Sequence, residues 1–139
     1  LHALYPSARL LTSEIGGLGY AFGGEIIDGA GLITPAALAY HPMQVPEQRR
    51  NGRIGAIPAA LVYKQLPELV VSYEVFVQEF DTSDYQSAYT RIAIPAFSTY
   101  WQQQTGLDEV YMSDELYIYI RNDIANEDAI QAITASLNQ

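Results

Sequence analysis

The feature that most constrains this chain is a run of closely spaced glycines between two short apolar segments that each lead to an acidic residue. Residues 8–13 (ARLLTS) precede Glu14, and the segment Glu25–Asp28 (EIID) ends in Asp28. Five of the ten residues in 15–24 are glycine. Because a glycine costs a helix interior about 1 kcal/mol relative to alanine, this stretch permits one tight helical turn at most. The pattern predicts two short buried strands joined by a glycine-rich turn.

Helix and strand signals alternate through the middle of the chain. Thr34 before Pro35 is typical of a helix start, so a brief helix is predicted over 35–40. The next predicted elements are a loop at 41–57, a helix from Pro58 that ends at Pro67 and a central strand at 68–72 (ELVVS). Residues 73–80 suit either a continuation of that strand or a short helix, and we favour the helix.

The last third of the chain carries three further signals. Ser83 and Gln86 form an S-x-x-Q capping box before apolar residues spaced by three and four, which predicts a helix over 84–104 that Pro95 kinks or splits. Residues 110–112 and 116–121 are predicted to form an antiparallel strand pair. Asn126 is predicted to cap a final helix.

These elements together predict the fold class. Strands that alternate with helices indicate one α/β domain over 1–139, with a short mixed and mostly parallel sheet, helices on its faces and a terminal antiparallel strand pair. Sheets of this kind bind ligands beyond the carboxyl ends of their strands. We therefore expect functional residues where the first two strands end.

Composition and spacing exclude several functions. Seven Lys and Arg against 16 Asp and Glu give a net charge of −9, which argues against a nucleic-acid partner. The chain has no cysteine, and His2 and His41 are the only histidines, so we expect no metal site. A dinucleotide-binding turn needs a small residue where Phe22 stands and an acid about 20 residues further on, whereas Asp28 comes much sooner. We expect no cofactor.

Glu14 and Asp28 are the principal candidate site residues, because both are predicted at the carboxyl ends of neighbouring strands. Two buried carboxylates in one crevice can divide into an acid and a base. The alternative, which is the more frequent role of such residues, is that each accepts hydrogen bonds from amides of the glycine turns. The full set of candidate ligand-binding residues is Glu14, Gly16, Gly17, Gly19, Tyr20, Asp28 and Gly31.

A second candidate site lies in the predicted loop. Arg49, Arg50 and Arg53 have the side chains that bind a phosphate or an anionic headgroup through paired hydrogen bonds. Three arginines also suit a solvated loop that balances a neighbouring acidic surface. Both interpretations remain open.

The segment SEIGGLGYAFGGEIIDGAGLITP resembles the soluble C-terminal region of bacterial multi-spanning membrane glycosyltransferases of the protein O-mannosyltransferase type, which use polyprenyl-phosphate sugars. In that family a strand ending in an acid precedes an I-G-x-L-G-Y turn, a second strand ends in D-x-x-G-L, and a Pro-led helix follows. The matching residues here are Glu14, Ile15, Gly16, Leu18, Gly19, Tyr20, Asp28, Gly31, Leu32 and Pro35. Family catalysis is ascribed to acidic residues between membrane spans, which this segment does not include.

The resemblance implies a non-catalytic domain excised from a longer membrane protein, at the extracytoplasmic (periplasmic) face of the inner membrane. Its partners would be the transmembrane part of the same polypeptide and a lipid-linked sugar or an acceptor, whose access it would shape. One alternative is a stand-alone ligand-binding module or enzyme that uses Glu14 and Asp28 as a carboxylate pair. Another is an interaction domain that docks through its acidic C-terminal half.

Overall fold

The computed structural model describes residues 1–41, 57–94 and 115–136. The strands are β1 (Arg9–Thr12), β2 (Glu25–Asp28), β3 (Leu69–Tyr73), β4 (Tyr89–Ile94) and β5 (Leu116–Arg121). The α-helices are α1 (Gly17–Phe22), α2 (Ala59–Gln65), α3 (Glu74–Asp81) and α4 (Glu127–Ser136). Two 3₁₀ helices span Pro35–Tyr40 and Asp84–Ala88.

The strands form one mixed sheet in the order β2-β1-β3-β5-β4. The strand β1 pairs in parallel with β2 and with β3, whereas β5 is antiparallel to both β3 and β4. The predicted α/β class and mixed sheet are confirmed. The prediction of a mostly parallel sheet is matched only in part, because two of the four pairings are parallel and two are antiparallel. The predicted terminal antiparallel pair is also matched only in part, because β5 pairs at the sheet margin with β4. Residues 110–112, the predicted partner, lie outside the described residues.

Two apolar clusters cover the two faces of the sheet. On one face Leu10 and Val71 pack with Phe22 of α1 and with Ile133 of α4. On the other face the strands contact α2, α3 and the first 3₁₀ helix. All five residues of β3 (LVVSY) are buried, as expected for a central strand covered on both sides.

The predicted helix over 84–104 is wrong in its described part. Residues 84–88 form a 3₁₀ helix, and residues 89–94 form β4 alongside β5. The capping box does not form either, because the Ser83 hydroxyl donates to the Phe80 carbonyl at 2.7 Å. Ile92 fits the helical spacing from Ala88 and Tyr89 and also the strand spacing to Ile94, and pairing with β5 decides between the two. Residues 95–104 lie outside the described residues.

The glycine-rich segment forms the six-residue helix α1, which is longer than the single tight turn predicted for it. The predicted brief helix over 35–40 is a 3₁₀ helix, and the remaining helix predictions are confirmed in the described residues. The helix α3 occupies the segment for which a short helix was predicted, and α2 lies between Pro58 and Pro67. At the start of α4 the Asn126 side-chain oxygen accepts the Ala129 amide at 2.8 Å, as a capping asparagine should.

The parallel strands give the sheet two distinct ends. The carboxyl ends of β1, β2 and β3 lie together, and we call this end, with residues 12–14, 28–34 and 72–74, the carboxyl rim. The amino ends of β1 and β3 lie beside the carboxyl end of β5, and we call this end, with Arg9, Glu68 and Arg121, the amino rim.

Candidate functional site

The carboxyl rim brings the two predicted acidic residues to the same end of adjacent strands. Asp28 is the register partner of Thr12 across the parallel β1–β2 pair, and Glu14 follows Thr12 by two residues. The central geometric premise, that Glu14 and Asp28 belong to one end of the sheet, is therefore met. Their environments are very different.

Asp28 is completely buried, and both of its carboxylate oxygens accept backbone amides. Oδ1 accepts the Ala30 N–H at 2.8 Å, and Oδ2 accepts the Ile33 N–H at 2.9 Å. The Asp28 amide itself donates to the Thr34 hydroxyl at 2.9 Å. Asp28 therefore has the structural role that the sequence analysis gave as an alternative, that of an acceptor for turn amides. Its carboxylate holds the turn that follows β2.

That turn presents apolar side chains outward. Gly31 has a φ of +88°, and a Cβ added there would lie 2.7 Å from Leu38 Cδ2, so the position favours glycine. Beyond it Leu32 is 79% exposed and Ile33 is 59% exposed. The His41 ring contacts the Gly29 carbonyl oxygen at 2.9 Å and closes the base of the segment.

Glu14 has no comparable partners for its side chain. It is half-buried, and its carboxylate accepts no hydrogen bond from the described residues, although its backbone carbonyl accepts the Leu18 and Gly19 amides. Burial raises the pKa of Glu14. Burial, together with the negative charge of Glu14, raises the pKa of Tyr73 to about 12. Glu14 is thus a poorly solvated carboxylate at the end of β1.

A hydroxyl pair that the sequence did not indicate lies at the same rim. The Ser13 and Ser72 hydroxyls are 2.6 Å apart, at the ends of β1 and β3. Each serine is unremarkable by itself in the sequence. Only the register between β1 and β3, which pairs Thr12 with Val71, brings them together.

The predicted glycines of the first turn lie in different surroundings. An added Cβ at Gly19 would lie 3.7 Å from Ile26 Cγ1, which is an ordinary van der Waals contact. Open space surrounds Gly16 and Gly17 where a Cβ would stand. Tyr20, on α1, is 91% exposed. Ligand binding by these residues stays a prediction.

The predicted arginine site and the question of a metal site can be treated briefly. Arg49, Arg50 and Arg53 lie outside the described residues, and their anion-binding role stays a prediction. Within 1–41, 57–94 and 115–136, no three or more His, Asp or Glu side chains group in a way that could hold a metal ion.

Two described cavities lie away from the acidic pair. One of about 120 Å³ lies beneath α1 and is lined by Leu10, Phe22 and Val71 among others. The other, of about 240 Å³, lies at the amino rim beside Tyr5 and Glu68. Neither is lined by Glu14 or Asp28, so these cavities give the proposed carboxylate pair no shared pocket.

The amino rim carries an ionic network that sequence reasoning missed. The Arg9 Nε lies 2.9 Å from Glu68 Oε2, and the Arg121 Nη1 lies 3.0 Å from Glu68 Oε1. Arg121 also pairs with Asp123 at 2.7 Å. Burial raises the pKa of Glu68, but the hydrogen bonds and charge of Arg9 outweigh burial and lower it to about 2. Arg9 and Glu68 are 59 positions apart, and Glu68 and Arg121 are 53 apart, so no local sequence pattern indicates these two pairs.

A second missed cluster lies between α3 and the antiparallel strands. Asp81 accepts hydrogen bonds from Arg91 at 2.9 Å and from the Tyr119 hydroxyl at 2.7 Å. The Arg91 guanidinium lies 4.8 Å from the Tyr117 ring centroid, and the Tyr117 hydroxyl donates to Glu115 at 2.5 Å. Burial, followed by the bond to Asp81, raises the pKa of Tyr119. Every polar group named here has a partner, so the cluster serves to fix β4 and β5 against α3.

No protein-family model, curated protein or solved structure matches this chain. Among the helices of the described residues, none has the length and apolar character needed to cross a bilayer.

Proposed function

We propose that this chain is a non-catalytic accessory domain at the extracytoplasmic (periplasmic) face of the inner membrane, part of a glycosyltransferase that uses polyprenyl-phosphate sugars. It docks on the transmembrane part of the same polypeptide and shapes access of the acceptor or the lipid-linked donor. The observation that carries the proposal is the turn after β2, which is rigidly held from inside and yet exposes Leu32 and Ile33.

The residues of the D-x-x-G-L motif, on which the resemblance depends, have different structural roles. Asp28 accepts the turn amides, and Gly31 supplies the positive φ. Leu32 contributes little to the core, because 79% of its surface is exposed. A large apolar residue held outward by buried neighbours is what a contact surface requires.

Docking through this turn is energetically reasonable. Burial of a leucine or isoleucine side chain yields about 1.5–3 kcal/mol. Because the turn is already ordered by Asp28, little further conformational entropy is lost when a partner covers it. The exposed side chains therefore favour a docking role.

The chemistry of the acidic pair supports the non-catalytic half of the proposal. Acid–base catalysis by two carboxylates requires both to reach the substrate. Both Asp28 oxygens are bonded to amides of its own turn, and the residue has no exposed surface. Glu14 would have to act without it.

A second candidate function follows from Glu14. A half-buried carboxylate without a hydrogen-bond donor among the described residues, next to the Ser13–Ser72 hydroxyl pair, suits a ligand that offers hydroxyl or amine donors. Under this alternative Glu14→Gln would abolish ligand binding, whereas under the leading proposal it would leave docking unchanged.

Two experiments test the leading proposal. Incubation of the purified chain with a polyprenyl-phosphate sugar and an acceptor peptide should give no sugar transfer, and turnover would contradict the non-catalytic assignment. In the natural polypeptide, a photoreactive amino acid in place of Leu32 should crosslink to components of the membrane, either lipid or membrane-embedded peptides of the same chain.

The matched control for the crosslink is Leu66. It is the same residue type, is 49% exposed and lies at the amino rim, where its carbonyl accepts the Arg9 side chain. Position 66 should give no such crosslink. Equal crosslinking from positions 32 and 66, or a natural reading frame without membrane spans, would overturn the proposal.

A further inference from the structure

We infer that the exposed apolar side chains of the turn after β2 enter the interfacial region of the lipid bilayer itself. We call Leu32, Ile33 and the adjoining Leu38, which is 56% exposed, the apolar tip. This inference rests on the proposed function, since it names the partner of that docking surface. The apolar tip contacts a neutral bilayer, at the level where the headgroups meet the acyl chains.

The backbone of the turn is the first reason. A segment enters an apolar phase cheaply only when its polar backbone groups are satisfied internally. Four amides of this turn donate within the protein: Gly29 to the Thr12 carbonyl, Gly31 to the Asp28 carbonyl, and Ala30 and Ile33 to the Asp28 carboxylate. Entry into a bilayer would cost these groups no hydrogen bond to water.

The same property favours lipid over protein. Protein interfaces carry about one hydrogen bond for each 100–200 Å² of buried surface, and these bonds fix the register of the partners. At the apolar tip the most exposed residues are Leu32 and Ile33, and the four amides above already have acceptors within the protein. Such a surface suits an occupant that makes non-directional contacts.

The charge distribution is the second reason. The segments 15–24 and 29–40, which leave the carboxyl ends of β1 and β2, contain no Asp, Glu, Lys or Arg, although these residues make up 17% of the chain. A charged side chain is costly to bury in a membrane, so this uncharged surface is the part of the protein best able to approach one. Because the net charge of the chain is −9, anionic headgroups should repel it.

The expected binding is weak when the chain is free. A single myristoyl chain by itself gives only marginal, reversible membrane binding, and three partly exposed side chains offer less apolar surface than that. The apolar tip therefore acts where the domain is already held at a membrane. Tethering then converts the contact into an intramolecular one.

The test uses the absence of cysteine from the chain, which allows clean single-site labelling. Leu32→Cys and the control Leu66→Cys are each labelled with a polarity-sensitive dye and held by a histidine tag, at either end in turn, on phosphatidylcholine vesicles that contain nickel-chelating lipid. Emission from position 32 should rise about threefold and be quenched by spin-labelled acyl chains, as expected for interfacial burial. Emission from position 66 should stay near its value in solution.

Lipid composition sharpens the test. Replacing a third of the phosphatidylcholine by phosphatidylglycerol should reduce the emission rise at position 32. The variant Ile33→Asp in the Leu32→Cys background should abolish the rise, while circular dichroism and the denaturation midpoint stay unchanged because Ile33 is exposed.

Three outcomes would overturn the inference: no rise at position 32, equal rises at positions 32 and 66, or a larger rise with anionic lipid. A lack of response on vesicles, combined with the crosslink from position 32 to membrane-embedded peptides, would assign the apolar tip to a protein partner. The proposed function would then survive without the lipid contact.

Discussion

The two rims of the sheet are stabilised in opposite ways. At the amino rim, Glu68 pairs with Arg9 and Arg121 in contacts that water partly reaches. At the carboxyl rim, Asp28 is inaccessible to solvent, and its carboxylate accepts backbone amides of its own segment. The first rim joins distant segments through side chains, whereas the second fixes one local turn through its backbone.

The difference indicates which rim is available for contact. The charged groups of the amino rim satisfy one another, and that rim retains charge toward solvent. At the carboxyl rim, the turn held by the buried carboxylate of Asp28 exposes the apolar residues Leu32 and Ile33. Substitutions of acidic residues in three different settings test this contrast.

The largest effect is expected from Asp28→Ala. Removal of the carboxylate leaves the Ala30 and Ile33 amides without their acceptors in a partly buried setting, so the free energy of unfolding should fall by about 2–3 kcal/mol. Asp28→Asn retains one acceptor oxygen and should lose roughly half as much. Urea denaturation measures both variants.

The control for Asp28 is Asp84→Ala at an exposed position in the second 3₁₀ helix, which should change the unfolding free energy by less than about 0.5 kcal/mol. A loss at Asp28 no larger than the loss at Asp84 would show that the carboxyl-rim turn does not depend on its buried carboxylate.

An intermediate effect is expected at the amino rim. The pKa of Glu68 is about 2, below its ordinary value of 4.5, so the folded state favours the ionised form. Its contribution is complete above pH 4.5 and is lost as the pH falls toward 2. After allowance for solvent screening, Glu68→Gln should cost about 1–2 kcal/mol at pH 7 and almost nothing at pH 2.

Unfolding free energies measured across that pH range check the Glu68 prediction. Glu127→Gln, an exposed change in the first turn of α4, provides the control and should leave the profile nearly parallel to that of the natural protein. If Glu68→Gln also leaves the slope unchanged, the ionic network contributes no stability.

The smallest effect, with the opposite sign, is expected from Glu14. Burial raises the pKa of this carboxyl, so its contribution to stability is complete below the ordinary pKa and is lost as the pH rises through the raised value. Glu14→Gln should therefore stabilise the protein at pH 7, by roughly 0.5 kcal/mol because the residue is only half-buried. The gain should vanish at low pH. A loss of stability at pH 7 would mean that the charged form has a partner.

The elements that could be predicted from the sequence are those whose signals are local. Three strands have local signals in the sequence. The segments β1 and β2 each lead to an acidic residue, with closely spaced glycines between them, and β3 contains an apolar run. All three strands form in the structure. The alternative role considered for Asp28, an acceptor for turn amides, also follows from local chemistry, because carboxylates commonly accept the amides of the turn that follows them.

The features that were missed depend on distant pairing. The strand β4 has apolar residues that suit a helix or a strand, and β5 decides the outcome from more than 20 residues away. The Ser13–Ser72 contact and the Arg9–Glu68 ion pair each join residues 59 positions apart. The exposure of Leu32 was equally hidden, since a leucine after a glycine gives no sign of which way it points.

The strand order also dictates when this fold can form. The last strand in the sequence, β5, lies inside the sheet between β3 and β4 and is not at its margin. During synthesis β3 must wait for Leu116 to Arg121 to emerge, with one long side of its backbone unbonded and prone to association with other chains. Any shortened version that stops before Leu116 should aggregate, whereas changes confined to the surface loops should leave assembly of the sheet intact.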